Sequence, residues 1–266
     1  MAPTTFNPAT DIPSMSGKVI LITGGTAGLG AEAVRQLAGH SPARIYISGR
    51  NADAAERLIQ QIQQALWPPR RALQRTGMRS NLEPTTSATL LIRKLLPLLQ
   101  TTVEKVDGDD VRIIQLTSLG LKMHPGGGIV FDALRTTQEF SVFGGWIRYG
   151  QSKLANLLYA AELAHRYPRL TSVSLTPGVV NTGLVEKLGP FNRAFVWVTN
   201  LGNLMGIEEG AQKQLWAATT KKDNLVNGAF YEPAGMLSTK LDKAAKDEAM
   251  AKRLWEWTEE ALAEYL

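Results

Sequence analysis

Lys18-Val-Ile-Leu-Ile-Thr-Gly-Gly-Thr-Ala-Gly-Leu-Gly30 decides the fold. Lys18 to Thr23 is a short apolar run, ended by Gly24, Gly25, Gly28 and Gly30, after which Ala31 to Ala38 has helical spacing. The order is strand, turn, helix. A strand that feeds a helix through glycines leaves unpaired backbone N–H groups and the positive end of a helix at one place. The missing side chains let a pyrophosphate come close there. Thr23, Gly24, Thr26, Gly28, Leu29 and Gly30 are therefore candidate dinucleotide-binding residues. Such a cluster alone also fits an ordinary glycine-rich turn, and its place after the first strand is what lifts it.

Working outward, Arg44-Ile-Tyr-Ile-Ser48 predicts a second strand, closed by Gly49. Asn51 can cap a helix running through Ala55, Leu58, Ile59 and Ile62. The same reading predicts a helix at Ala88 to Lys105, a strand at Val111 to Thr117 and a helix from about Tyr149 to Ala164. Strands follow at Ser172 to Thr176 and Gly228 to Tyr231. Strands alternating with helices imply an α/β fold, a Rossmann-type doubly wound parallel sheet in a single domain. Its span is 1–266, with a core at 15–235 and a C-terminal helix at 240–266. Leu254, Trp257, Ala261 and Leu262 give that tail one apolar stripe, read as a surface helix or an oligomer contact. The second strand ends in Ser48-Gly49-Arg50, where an adenosine ribose would lie. An acid there would take the ribose hydroxyls of NAD, whereas Arg50 suits a 2′-phosphate, so NADP(H) is preferred over NAD(H). A solvated charge is the plain alternative for Arg50.

The formal net charge is +5, from 29 basic and 24 acidic residues without a Lys/Arg tract. That excludes a dedicated nucleic-acid surface and suits an anionic small ligand. There is no Cys, so disulfides, thiolate metal sites and Cys nucleophiles are excluded. His40, His124 and His165 have no ligand spacing, and no metal is expected. Apolar stretches fall short of the roughly 20 residues of a membrane helix, and Met1 to Met15 is not signal-like, which reads as cytoplasmic.

Tyr149-Gly-Gln-Ser-Lys153 places a phenol and an ammonium on one helical face. A free phenol titrates near pH ~10, and an adjacent cation favours the phenolate, so Tyr149 could exchange a substrate hydroxyl proton. Ser118 ends the strand at Val111 to Thr117, on the carboxyl edge where such sheets bind ligands, and could hold a carbonyl oxygen. Each has a bland alternative: an exposed Tyr/Lys pair, and a hydroxyl bonded to its own backbone. The combination carries the weight.

At this point the chain resembles the short-chain dehydrogenase/reductase family. T-G-x-x-x-G-x-G at Thr23 to Gly30, Ser118 after a strand, Tyr149-x-x-x-Lys153 and Pro177-Gly178-Val-Val-Asn-Thr182 occur in family order. Arg112 to Ser118 and Tyr149 to Asn156 are most similar to its retinol-dehydrogenase-like branch, which has many fungal members. The likeness covers roughly residues 15–66 and 88–235. It implies Tyr149 as acid/base, Lys153 on the nicotinamide ribose, Ser118 orienting substrate, and Pro177, Gly178, Val180 and Thr182 lining the nicotinamide site. The implied reaction is reversible hydride transfer between NADP(H) and a carbonyl or secondary alcohol. The substrate is expected to be small and fairly apolar, a steroid-like lipid, a retinoid or a polyketide intermediate of secondary metabolism. Phe131, Phe140, Phe143, Trp146, Phe191, Phe195 and Trp197 would supply an apolar pocket. A homodimer fits the family's habit.

The family pattern breaks in the middle. Between Ala65 and Ala88 lie 22 residues, where the family places a strand, a helix, a further strand and an Asn-Ala-Gly motif. A βαβ unit alone takes roughly 30 residues. Trp67 through Thr86 shows neither helix nor strand periodicity, and the family's catalytic Asn has no counterpart. Two central strands are expected to be lacking, among them the neighbour of the first strand. A permitted back-translation of Arg75 to Leu90, read in a shifted frame, spells DGYEIQFGTNHLGHA, similar to the family's missing helix start. The expectation is that 66–89 is out of frame and that about 40 preceding residues are lost. A catalytically impaired nucleotide-binding protein, or an inactive truncated product, is the alternative to an active enzyme.

Overall fold

The computed structural model of the protein describes residues 6–65, 73–76, 84–105, 110–138, 140, 143–180, 189 and 204–266. In chain order its elements are α1 (Pro8–Asp11), β1 (Val19–Thr23), α2 (Gly28–Ala38), β2 (Arg44–Ser48), α3 (Ala52–Ala65), β3 (Leu73–Thr76) and α4 (Pro84–Lys105). They continue as β4 (Arg112–Leu116), α5 (Gly144–Arg166), β5 (Thr171–Leu175), α6 (Ile207–Thr219), β6 (Phe230–Glu232), β7 (Met236–Leu237) and α7 (Glu248–Leu262). Parallel strands alternate with helices, the expected α/β class. The chain divides into two compact units, Thr4–Asn81 with Pro177–Thr219, and Leu82–Thr176 with Thr220–Leu266 and Met1–Pro3.

In the first unit β1, β2 and β3 form a parallel sheet in that order, with Val19 beside Arg44, Thr23 beside Ser48 and Ile45 beside Leu73. Strand alternation sets the core: Ile45 and Ile47 are fully buried between the outward Arg44, Tyr46 and Ser48. Leu58 and Ile62 of α3 and Val34 and Leu37 of α2 join the same cluster. Asn51 caps α3 as expected, its side chain accepting the Ala54 N–H at 3.0 Å. The strand β3 lies within Trp67 to Thr86, the stretch whose sequence carries no strand periodicity. Backbone N–H and C=O groups pair whatever the side chains, so a four-residue edge strand needs no alternating pattern to form.

The second unit holds β4, β5 and β6 in parallel, with β7 antiparallel at the edge. α5 crosses β4 and β5, burying Leu154, Leu158 and Leu163. Here α4 begins four residues before the expected Ala88, with Pro84 in its first turn, where a proline lacks nothing that the helix needs. The C-terminal helix differs in kind from the expected surface element. Asp247 caps α7 by accepting the Met250 N–H at 2.9 Å, and the helix is packed core. Trp255, 4% exposed, stacks on Tyr159 of α5 with ring centroids 5.1 Å apart, and Arg166 covers it at 4.9 Å. Trp257, named in the expected stripe, is only half-buried, under Arg135.

Each sheet ends in a strand paired on one side only among the described residues, β1 in the first and β4 in the second. Val19 of β1 is 66% exposed, although Val-Ile-Leu-Ile is the most apolar strand of the chain.

Candidate functional site

The glycine turn is built by close backbone approach. Gly24 and Gly28 have φ of 67° and 53°, in the left-handed region that favours glycine. A β-carbon on Gly30 would stand 2.8 Å from the Gly24 carbonyl carbon, so the turn lies directly on the start of α2. Ala27 precedes the helix and supplies no side-chain cap, which leaves the first N–H groups unclaimed by any side chain among the described residues. The cradle therefore fits the phosphates of a dinucleotide. Thr26 packs against Gly49 at the end of β2. Arg50 beside it is exposed and makes no ion pair or hydrogen bond among the described residues. Gln214 of α6 donates to the Leu29 carbonyl at 2.7 Å. Gly178 has φ of 87° and lies against the Met205 side chain, and Val180 is buried and bridges Met205. Thr182 lies outside the described residues, as do Phe191, Phe195 and Trp197.

In the second unit the three expected catalytic residues come together. Ser118 follows β4 and caps a 3-10 turn at Leu119–Met123, its Oγ accepting the Gly120 N–H at 3.1 Å. The bland use of this hydroxyl is thus real, yet the O–H proton is still free to be donated to a carbonyl. Tyr149 lies in the second turn of α5. A point one bond above the Gly120 α-carbon is 2.8 Å from Tyr149 Cε1 and 3.3 Å from Ser118 Oγ, so these two atoms lie within about 6.1 Å of each other. Lys153, one turn further along α5, holds its Nζ 5.6 Å from the Tyr149 ring centroid. Burial depresses the Lys153 pKa below the ordinary lysine value, since the charged form is poorly solvated. Trp146 meets the Tyr149 ring edge-on at 6.1 Å. The helix starts at Phe143, whose φ of 54° is left-handed and which gives no side-chain cap.

Several residues that hold this arrangement went unassigned in the sequence. Thr117 Oγ1 donates to the Lys153 carbonyl at 2.7 Å, and Asn156 Nδ2 donates to the Leu116 carbonyl at 3.1 Å, pinning α5 to the end of β4. Gln151 accepts the Val130 N–H at 2.9 Å and donates to Gln138 at 2.8 Å. His124 ties the turn after Ser118 to Asp242 at 2.9 Å. Burial acts to raise the Asp242 carboxyl, but hydrogen bonds from the Ala245 amide and the His124 ring hold it below the usual carboxylate range. The one signal in the sequence was adjacency, Thr117 to Ser118 and Asn156 to Lys153, which does not show a partner on another element.

Residues 18–83 match the family model described as short chain dehydrogenase. A short-chain dehydrogenase/reductase of the fungus Armillaria gallica is 28% identical, the alignment covering 96% of this chain and 93% of that protein. Over residues 18–83, and more weakly along most of its length, the chain is thus similar to short-chain dehydrogenases/reductases. Its fold is similar to that of an uncharacterized protein from Mycobacterium paratuberculosis, with TM-score 0.63 at 20% identity over 96% of this chain and 97% of that one. It is also similar to L-sorbose reductase from Gluconobacter frateurii, solved with NADPH and L-sorbose, with TM-score 0.57 at 15% identity over 87% of this chain and 100% of that one. The Armillaria alignment runs over 297 positions, whereas 96% of 266 residues is about 255. About 42 of its positions therefore have no counterpart in this chain. No helix among the described residues is long and apolar enough to cross a membrane.

Proposed function

We propose that the chain is an NADP(H)-dependent oxidoreductase that moves a hydride between nicotinamide and a carbonyl or secondary alcohol of a small, fairly apolar substrate. The observation that supports it best is the convergence of Ser118, Tyr149 and Lys153 at the end of β4. The bound nicotinamide supplies or accepts the hydride. The protein's part is to move the proton. In reduction the Tyr149 phenol donates its proton to the carbonyl oxygen, which the Ser118 O–H polarises by hydrogen bonding. In oxidation the phenolate takes the proton back, and the Lys153 ammonium beside the ring stabilises that anion. Lys153 also has donors for ribose hydroxyls. Thr23, Gly24, Thr26, Gly28, Leu29 and Gly30 would hold the pyrophosphate, and Pro177, Gly178, Val180 and Thr182 the nicotinamide. Arg50 would pair with the 2′-phosphate. This reading includes a cytoplasmic location and a homodimer, checked by cell fractionation and light scattering.

The test is titration of the purified full-length protein with NADPH and NADH, followed by fluorescence and thermal melting. NADPH is expected to bind more tightly and to raise Tm. Arg50→Ala should weaken NADPH by about tenfold, the value of one charge-assisted pair, and leave NADH unchanged. Equal binding of both nucleotides would remove the NADP(H) preference. A carbonyl screen follows, in which Tyr149→Phe should lower turnover by about 10²- to 10⁴-fold.

A second reading, a nucleotide-binding descendant without turnover or an inactive product, is favoured by one observation. Among the described residues β1, which carries the glycine turn, is paired on one side and half-exposed. Binding of NADPH without reduction of any carbonyl would support it.

A further inference from the structure

We infer that Gly120 is a positioning residue whose bare α-carbon seats the phenol end of the Tyr149 ring beside Ser118, and that Gly150 clamps α5 onto that seat. The inference rests on the role proposed above for Tyr149. Three observations carry it. The φ of Gly120 lies outside the left-handed region, so its backbone conformation is open to any residue. What excludes a side chain is contact alone: a β-carbon there would stand 2.8 Å from Tyr149 Cε1, 3.4 Å from Cδ1 and 3.3 Å from Ser118 Oγ. Cε1 adjoins the carbon that bears the hydroxyl, so the seat touches the reactive end of the ring and not its stem. A methyl group at this point would stand between the two groups that must reach one substrate oxygen.

Gly150 follows Tyr149 inside α5, where glycine is a poor helix former. Its lack of a side chain has a use here. A β-carbon would stand 2.6 Å from the His124 nitrogen, 2.6 Å from the Met123 carbonyl carbon and 2.9 Å from the Gly120 oxygen. The helix therefore rests backbone to backbone on the turn at Leu119–Met123. Gly145, one turn earlier on the same helix, has open space where its side chain would be and serves as the control.

The experiment uses full-length protein carrying ring-labelled tyrosine, with the Tyr149 resonance assigned by its loss in Tyr149→Phe. Gly120→Ala is expected to shift that resonance and leave the other five of the six tyrosines in place, while Gly145→Ala moves none of them. Gly120→Ala should lower Tm in the natural background and lower it far less beside Tyr149→Ala, where the obstructing ring is gone. If Gly120→Ala fails to fold alone and Gly120→Ala/Tyr149→Ala folds, the seat stands. An unmoved Tyr149 resonance overturns it, as does an equal loss of stability, or of folding, in both backgrounds. Where the natural protein turns over, Gly120→Ala should reduce kcat on the order of a hundredfold with KM for NADPH unchanged, the effect of a misplaced reacting group. A natural protein that never turns over, yet shows the shifted resonance, refutes the proposed activity and leaves the seat intact. Turnover with an unmoved resonance does the reverse.

Discussion

β1 and β5 are five-residue parallel strands that reverse the ordinary relation between composition and burial. β1 reads Val-Ile-Leu-Ile-Thr, and none of its residues is buried. β5 reads Thr-Ser-Val-Ser-Leu, and all five are buried, Ser172 and Ser174 completely. The difference lies in neighbours. β5 has β4 on one side and β6 on the other, with α5 taking the Ser172 hydroxyl onto the Ala160 carbonyl at 2.9 Å. β1 has β2 alone. A sequence so apolar at β1 records a burial that the described residues do not supply, and the roughly 42 alignment positions without a counterpart are the size of the element that would supply it.

The most severe challenge to this contrast is to give β1 its neighbour. Replacing residues 66–89 by the longer corresponding segment of the Armillaria relative should stabilise the protein on the order of 5 kcal/mol, from burial of Val19, Ile20, Leu21 and Ile22. Urea denaturation measures it, and no gain would mean that β1 is not short of a partner. A transcript encoding 66–89 in frame, with no longer isoform, would separately remove the out-of-frame explanation. Next in size, Trp255→Ala opens the second unit as β1 is open in the first. Loss of the indole from between Tyr159 and Arg166 should cost about 3–5 kcal/mol in the same assay. A loss under 1 kcal/mol would show that α7 is a loosely held appendage.

The smallest effect concerns Lys153, whose burial depresses its pKa. The folded state disfavours the ammonium, so the cost is full below the depressed folded pKa. It is relieved as pH rises from the depressed folded value to the ordinary lysine value, because the unfolded chain holds the proton longer. Lys153→Met should therefore be more stable than the natural protein at neutral pH, with the gain shrinking in that alkaline window. A difference independent of pH would show that the ammonium is well solvated.

What the sequence made legible follows the same division. Periodicity gave β1, β2, β4 and β5 to within a residue or so, because alternation and glycine punctuation are local. Ser118, Tyr149 and Lys153 were legible as a spacing, since Tyr149 and Lys153 share a helix face. Gly120 and Gly150 were not, because nothing in a single glycine shows what a side chain would meet. Nor was β3, which depends on an edge offered by β2 and not on its own residues. Trp255 and Trp257 look alike in the sequence, and only the position of α5 distinguishes the packed one from the half-exposed one.

Phe143 gives α5 an unusual beginning. A side chain of that size in the left-handed region costs on the order of 1 kcal/mol or more, and it replaces the polar cap that helices ordinarily use. Fraying of the first turn would release that strain. Trp146, within that turn, would swing with it, whereas Gly150, Thr117 and Asn156 keep Tyr149 and Lys153 in place. The first turn of α5 can thus loosen while the turns that carry Tyr149 and Lys153 hold still.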